Sequence, residues 1–264
     1  MLITVFIACI GLGALVGFLA GLLGIGGGLV IVPALVYLFH FLDISVEIAM
    51  PMALATSLSS IVVTSYFAAY AHNRNQNIPW DITKKLMVVV AGGALLGATI
   101  AGHLSVSALK TIFSIAVILL ASYMLASIKI KRTRAMPSDP ILQIIGIATG
   151  VLASLMGIAG GAILVPALSY CGMSLRHTIG VATVCGMMVA LFGSLGYAII
   201  GFGHPDLPPW SLGYIHLPAL LAIVITSSFF APKGVKLAAK LPVDLLKKYF
   251  AVFLILVAIK MMVY

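Results

Sequence analysis

Long apolar runs separated by short polar turns fill the chain from end to end. Ten segments read as helical, at roughly 2–23, 29–42, 46–71, 84–103, 107–128, 140–156, 161–172, 177–201, 213–231 and 243–263. Most have the length and unbroken apolar character of helices that cross a hydrocarbon layer, which takes about 20 residues. The second and seventh are shorter, and each carries an internal proline, Pro33 or Pro166. Each reads either as a short, re-entrant half-helix or as a brief crossing buried in a bundle.

The pattern occurs twice. Residues 17–37 read GFLAGLLGIGGGLVIVPALVY, and residues 150–170 read GVLASLMGIAGGAILVPALSY. At a constant offset of 133, 13 of these 21 positions are identical, among them Gly24/Gly157, Gly27/Gly160, Gly28/Gly161, Pro33/Pro166 and Tyr37/Tyr170. Chance in an apolar chain would match Ala, Leu and Val rather than glycines and a proline in register. A duplicated glycine loop inside hydrophobic sequence marks a two-repeat transporter. The organisation expected is membrane repeat 1 over 1–128, a basic linker over 129–139 and membrane repeat 2 over 140–264.

Composition fixes the solvent. The 264 residues are 62% hydrophobic and 8% charged, against roughly 25% charged in soluble domains. The fold class expected is an all-α polytopic integral membrane protein of about ten helical segments. The net charge of +9 does not indicate a nucleic-acid partner. Its 15 Lys and Arg stand in short loops, and no basic stripe interleaves with aromatics. Cys9, Cys171 and Cys185 read as buried thiols without a disulfide framework. The first 23 residues lack a basic leader region and run into the repeat, so they read as part of the fold.

Charge also orients the segments. With five crossings per half, 13 of the 15 basic residues fall on one side and only Lys110 and Lys260 on the other. With four crossings per half the split is 7 to 8 and the bias vanishes. The positive-inside rule therefore favours an odd count, which inverts repeat 2 relative to repeat 1. A non-crossing hairpin of the first two segments has the same parity. The linker then lies in the cytoplasm and both termini outside. Trp80 and Trp210 follow proline at matching places in the two halves.

The candidate chemistry follows from what the membrane segments lack. Asp43, Glu47, Asp81, Asp139, Asp206 and Asp244 all fall in or beside loops. Intramembrane carboxylates mark cation sites and proton relays, so an anionic substrate fits better than a cation. Gly24, Gly26, Gly27 and Gly28 in one loop, and Gly157, Gly160 and Gly161 in the other, precede helix starts. A helix start presents free N–H groups and the positive end of the helix dipole, and glycine lets a ligand approach the backbone. Two such starts from inverted repeats can grip one anion. The competing reading is close helix packing by small residues. Thr56 and Ser57 in one half and Thr183 in the other add hydroxyls, which either bond back to their own helix or face a polar cavity. Cys185 reads as a packing residue. The six histidines lie at segment ends without zinc-site spacing and read as solvated or interfacial. Lys260 reads as reaching the membrane surface. No metal and no cofactor is expected.

The run GLLGIGGGLVIVPAL at 21–35, its copy SLMGIAGGAILVPAL at 154–168, and Ala55-Thr56-Ser57 resemble the TauE/SafE sulfite exporter family. The resemblance covers essentially the whole chain. It implies a multi-pass carrier of a prokaryotic cytoplasmic (inner) membrane, moving sulfite, an organosulfonate or a related sulfur-containing anion. The second copy departs from the fuller pattern at Ser154, Ala159 and Val184, which makes the two halves unequal and repeat 1 the better equipped. The function expected is a secondary transporter of a small anion by alternating access, not an enzyme. Its partners are the anion and the lipid bilayer, and the oligomeric state is open. An anion channel of the same fold is the alternative, with a non-transporting membrane scaffold behind it.

Overall fold

Ser45 and Ser174 cap two long helices in the same manner. The Ser45 hydroxyl accepts the Glu47 N–H at 3.3 Å, and the Ser174 hydroxyl accepts the His177 N–H at 3.4 Å. Each satisfies a first-turn donor that has no intrahelical acceptor. The helices they open are α3 (Val46–Arg74) and α8 (Leu175–Ile200). The computed structural model describes residues 2–23, 27–42, 44–126, 138–238 and 243–263. Within these residues the remaining helices are α1 (Leu2–Leu23), α2 (Gly28–Phe41), α4 (Trp80–His103), α5 (Val106–Ala126), α6 (Asp139–Met156), α7 (Gly161–Tyr170), α9 (Leu217–Ala238) and α10 (Val243–Val263). Most of the linker, residues 129–137, lies outside the described residues.

Each helix falls on a segment read from the sequence. The main differences are the start of α4, at Trp80 rather than 84, the end of α9, at Ala238 rather than 231, and the start of α9, at Leu217 rather than 213. The late start of α9 has a structural reason. A hairpin of β1 (Ser211–Leu212) and β2 (Ile215–His216) occupies that stretch, pairing Ser211 with His216 and Leu212 with Ile215.

The pairing of helices is symmetric. α1 lies along α9, α4 along α6 and α8, and α3 along α8, α9 and α2, while α7 lies on α8 and α5 on α10. Exchanging α1–α5 for α6–α10 leaves this set unchanged. The α1/α9 pair becomes α6/α4, α2/α3 becomes α7/α8, and α4/α8 becomes α9/α3. The α3/α8 and α5/α10 pairs map onto themselves, as a two-fold relation requires of elements beside its axis. α3 and α8 are the most enclosed, with 72% and 61% of their apolar windows buried.

Duplicated glycines make the seams. A Cβ on Gly17 would strike the Ser227 backbone of α9, and one on Gly150, its equivalent, would strike α4 at Val90 and Ala94. Backbones in lipid approach closely where residues are small. The outer surface is apolar, with Phe67, Val88, Leu119, Ile144, Phe229 and Leu256 exposed. Such a face is solvated by lipid, not water. Among the described residues six helices are long and apolar enough to cross a bilayer. The protein is an all-α polytopic membrane protein. α2 and α7 have 14 and 10 residues. At about 1.5 Å per residue they fall short of a hydrocarbon core roughly 30 Å thick.

Candidate functional site at the glycine loops

Left-handed glycines shape the loops. Gly27 (φ 71°) caps the start of α2, and Gly160 (φ 64°) caps the start of α7. A side chain in this conformation costs about 1–2 kcal/mol. Gly157 (φ 64°) ends α6, its N–H bonding the Ser154 carbonyl while the Ile158 N–H bonds the Ala153 carbonyl at 3.0 Å. This is the paired C-terminal closure that favours glycine. Two left-handed glycines three residues apart thus turn the chain from α6 into α7. Gly24 and Gly26, two of the residues singled out from the sequence, lie outside the described residues.

The two loops meet. A Cβ on Gly28 would lie 2.6 Å from the Gly157 carbonyl oxygen and 3.0 Å from the Ile158 Cα. The start of α2 therefore abuts the second loop, and only glycine allows it. The Ser57 hydroxyl donates to the same Gly157 oxygen at 2.8 Å. Its neighbour Thr56 accepts the His216 N–H at 3.0 Å. Both hydroxyl residues are fully buried, and both bonds cross from one half of the chain to the other.

The remaining hydroxyls behave differently. Thr183 donates to the Ile179 carbonyl at 2.8 Å, and Ser59 and Ser60 donate to Ala55 and Ser57 carbonyls of their own helix. Such bonds inside one helix are the ordinary fate of a hydroxyl in apolar sequence. Of the three hydroxyls picked from the sequence, Thr56 and Ser57 tie the halves together and Thr183 bonds its own helix. The start of α7 is the roomier of the two. A Cβ on Gly161 would meet only the Ala182 Cβ, at 4.0 Å. The space borders Ala182, in the half whose loop departs from the fuller pattern.

The surroundings carry no fixed charge. Among the described residues no Asp, Glu, Lys or Arg side chain is buried, and Glu47, Asp81, Asp139 and Asp206 are exposed. No group of three His, Cys, Asp or Glu able to hold a metal occurs among them. The polar groups available to a ligand are amide N–H groups, hydroxyls and the helix dipoles.

His216 differs from its reading as solvated or interfacial. It is 4% exposed, with its ring 5.6 Å from that of Phe39. Its Nδ1 accepts the Ala219 N–H at 3.3 Å, so the ring is neutral. Periodicity could not reveal this, because the hairpin folds inward by long-range docking. Tyr197 is also buried and donates to the Ser154 carbonyl at 3.3 Å, whereas Tyr70, at the end of the corresponding segment, is exposed.

The family model for the sulfite exporter TauE/SafE family matches residues 9–261. The chain belongs to this family. A probable membrane transporter protein of Haemophilus influenzae is 41% identical over 98% of both chains. A probable membrane transporter protein of Methanocaldococcus jannaschii is 25% identical over 87% of this chain and 85% of its own. Another, YdhB of Bacillus subtilis, is 28% identical over 71% of this chain and 77% of its own. No solved structure matches. As a member of the TauE/SafE family, the protein is a multi-pass membrane transporter, and the glycine loops lie within the matched region.

Proposed function

We propose that the protein is a secondary carrier of a small anion, sulfite or an organosulfonate or a related sulfur-containing anion. It works by alternating access in a cytoplasmic membrane. The observation that carries the reading is the start of α2 packed against the glycine loop that leads into α7, with room at Gly161 and no buried charged side chain among the described residues. Helix starts attract anions. An interior without carboxylates imposes no repulsion on one. Rocking of the halves about the Ser57–Gly157 contact would expose the site to each side in turn.

Gly161→Ala is the discriminating variant. Its Cβ has room and its backbone is not left-handed, so the protein folds. The methyl group nonetheless occupies the space in front of the α7 N–H groups. The purified wild type is expected to gain thermal stability with sulfite, thiosulfate or a sulfonate, because a ligand of the folded state stabilises it. Gly161→Ala should need several-fold more anion for the same gain. A wild type indifferent to every member of that panel would sink the anion reading. Equal responses from the two proteins would remove the site from α7. Saturating, slow flux distinguishes the carrier from a channel.

A further inference from the structure

The β1–β2 hairpin has no counterpart in the first half among the described residues. Trp80 and Trp210 each follow a proline, but α4 begins at Trp80 itself, whereas residues 211–216 intervene before α9. Trp210 takes a left-handed φ of 66°, which a bulky residue adopts only where its surroundings impose it. The turn that follows uses Gly213 (φ 53°), where a Cβ would strike the Ala198 carbonyl of α8. The hairpin is thus pressed inward until β2 touches Thr56, about 15 Å along α3 from its first residue. Non-helical backbone at membrane depth occurs only where it is buried in protein or lines a polar cavity.

Three polar side chains, Thr56, Ser211 and His216, meet there with donors unspent. The His216 Nδ1 accepts the Ala219 N–H, so Nε2 carries the proton, and that N–H has no acceptor among the described residues. Thr56 accepts the His216 N–H, but its own O–H donates to nothing, unlike the hydroxyls of Ser57, Ser59 and Ser60 on the same helix. Ser211 stands directly across the ladder from His216, so the two side chains leave the same face, and its buried Oγ has no partner. Thr56 and His216 are 0% and 4% exposed. Unpaired donors are costly in an apolar interior, and an acceptor on a ligand would satisfy them. In the other half Thr183 has spent its hydroxyl within α8.

We propose that Thr56, Ser211 and His216 form a neutral subsite for a small oxyanion, with one donor for each oxygen of sulfite or of a sulfonate group. The proposal rests on the carrier reading. It adds to the α7 start a second station, one residue along α3 from the Ser57–Gly157 bond. The bond from Ala219 fixes the imidazole tautomer, which makes Nε2 a donor toward the ligand and favours oxygen acceptors over cations. Donors without charge hold an anion strongly enough to admit it and weakly enough to let it leave.

The test is thermal unfolding of the purified full chain titrated with sulfite, thiosulfate and methanesulfonate, with chloride at equal ionic strength as the control. His216→Asn keeps an acceptor where Nδ1 sits, so α9 stays capped, but it has no donor at Nε2. It should unfold at the wild-type temperature without anion, yet need roughly threefold to tenfold more sulfite for the same gain. His216→Gln does the reverse. Its amide nitrogen reaches the Nε2 position while the cap is lost, so it should unfold earlier but keep near wild-type affinity. Ser211→Ala removes an unpaired hydroxyl, so the anion-free protein should be no less stable, with the same weakening toward sulfite. Wild-type sulfite responses in His216→Asn and Ser211→Ala would mean that the donors serve water alone, and the subsite would fall. It would fall too if the two His216 variants lost stability and affinity together, or if anion-free Ser211→Ala unfolded earlier. Should His216→Asn fail to fold, Ser211→Ala decides alone. A wild type indifferent to all three sulfur anions overturns the carrier reading as well.

Discussion

The Ser57 hydroxyl and the Gly157 carbonyl stand 100 residues apart in sequence and 2.8 Å apart in space. Removing the hydroxyl strands a buried acceptor, at a cost of about 1–3 kcal/mol. Ser57→Ala is therefore expected to lower the unfolding temperature in detergent clearly more than Ser60→Ala, whose hydroxyl bonds only within α3. Equal losses would show that the bond between the halves contributes nothing special. The sequence offered Thr56, Ser57 and Thr183 as equals. It could not show that the first two hold partners in the other half, because the partners are 100 and 160 residues away. It also left His216 at a segment end, since nothing local distinguishes a buried imidazole from an exposed one.

At the scale of the helix, neighbouring glycines in α4 have opposite roles. A Cβ on Gly93 would lie 2.5 Å from the Ile147 carbonyl of α6, while one on Gly92 would touch nothing within 4 Å. Gly92→Ala should be neutral or stabilise by up to about 1 kcal/mol through helix propensity. Gly93→Ala should destabilise by about 1–3 kcal/mol by forcing the helices apart. Thermal unfolding of the two variants checks the pair, and a reversed order would contradict the α4/α6 seam. The helices themselves were legible because lipid demands unbroken apolar runs, and Pro33, Pro166 and the repeated glycines punctuate them unmistakably. The β1–β2 hairpin was not legible. It is only two residues deep on each strand, and its position depends on docking, with the Tyr214 N–H on the Tyr197 carbonyl and the His216 N–H on Thr56.

For the molecule as a whole, we propose that the halves are inserted in opposite senses: the lopsided distribution of basic residues carries this, while the exchangeable pairing of α1–α5 with α6–α10 fits two related halves of either sense. Equivalent turns must then face opposite compartments. Cysteine at Gln76, in the turn before α4, should resist a membrane-impermeant maleimide added to intact cells, while cysteine at Asp206, before α9, should react. Labelling of both or neither would refute the inversion. The charge-free interior described around the glycine loops has an electrical consequence. On the proposed carrier reading, and with no buried Asp, Glu, Lys or Arg among the described residues, an anion carried alone moves its own charge through the field, and each elementary charge is worth about 2.3 kcal/mol per 100 mV. A potential negative inside would expel the anion without any coupling ion. Sulfite flux in vesicles clamped with potassium and valinomycin should accordingly accelerate or reverse with the imposed voltage. Indifference to the clamp would mean that a cation travels with the anion. Where the flux follows the clamp, direction is set not by the protein but by the voltage of the membrane that holds it.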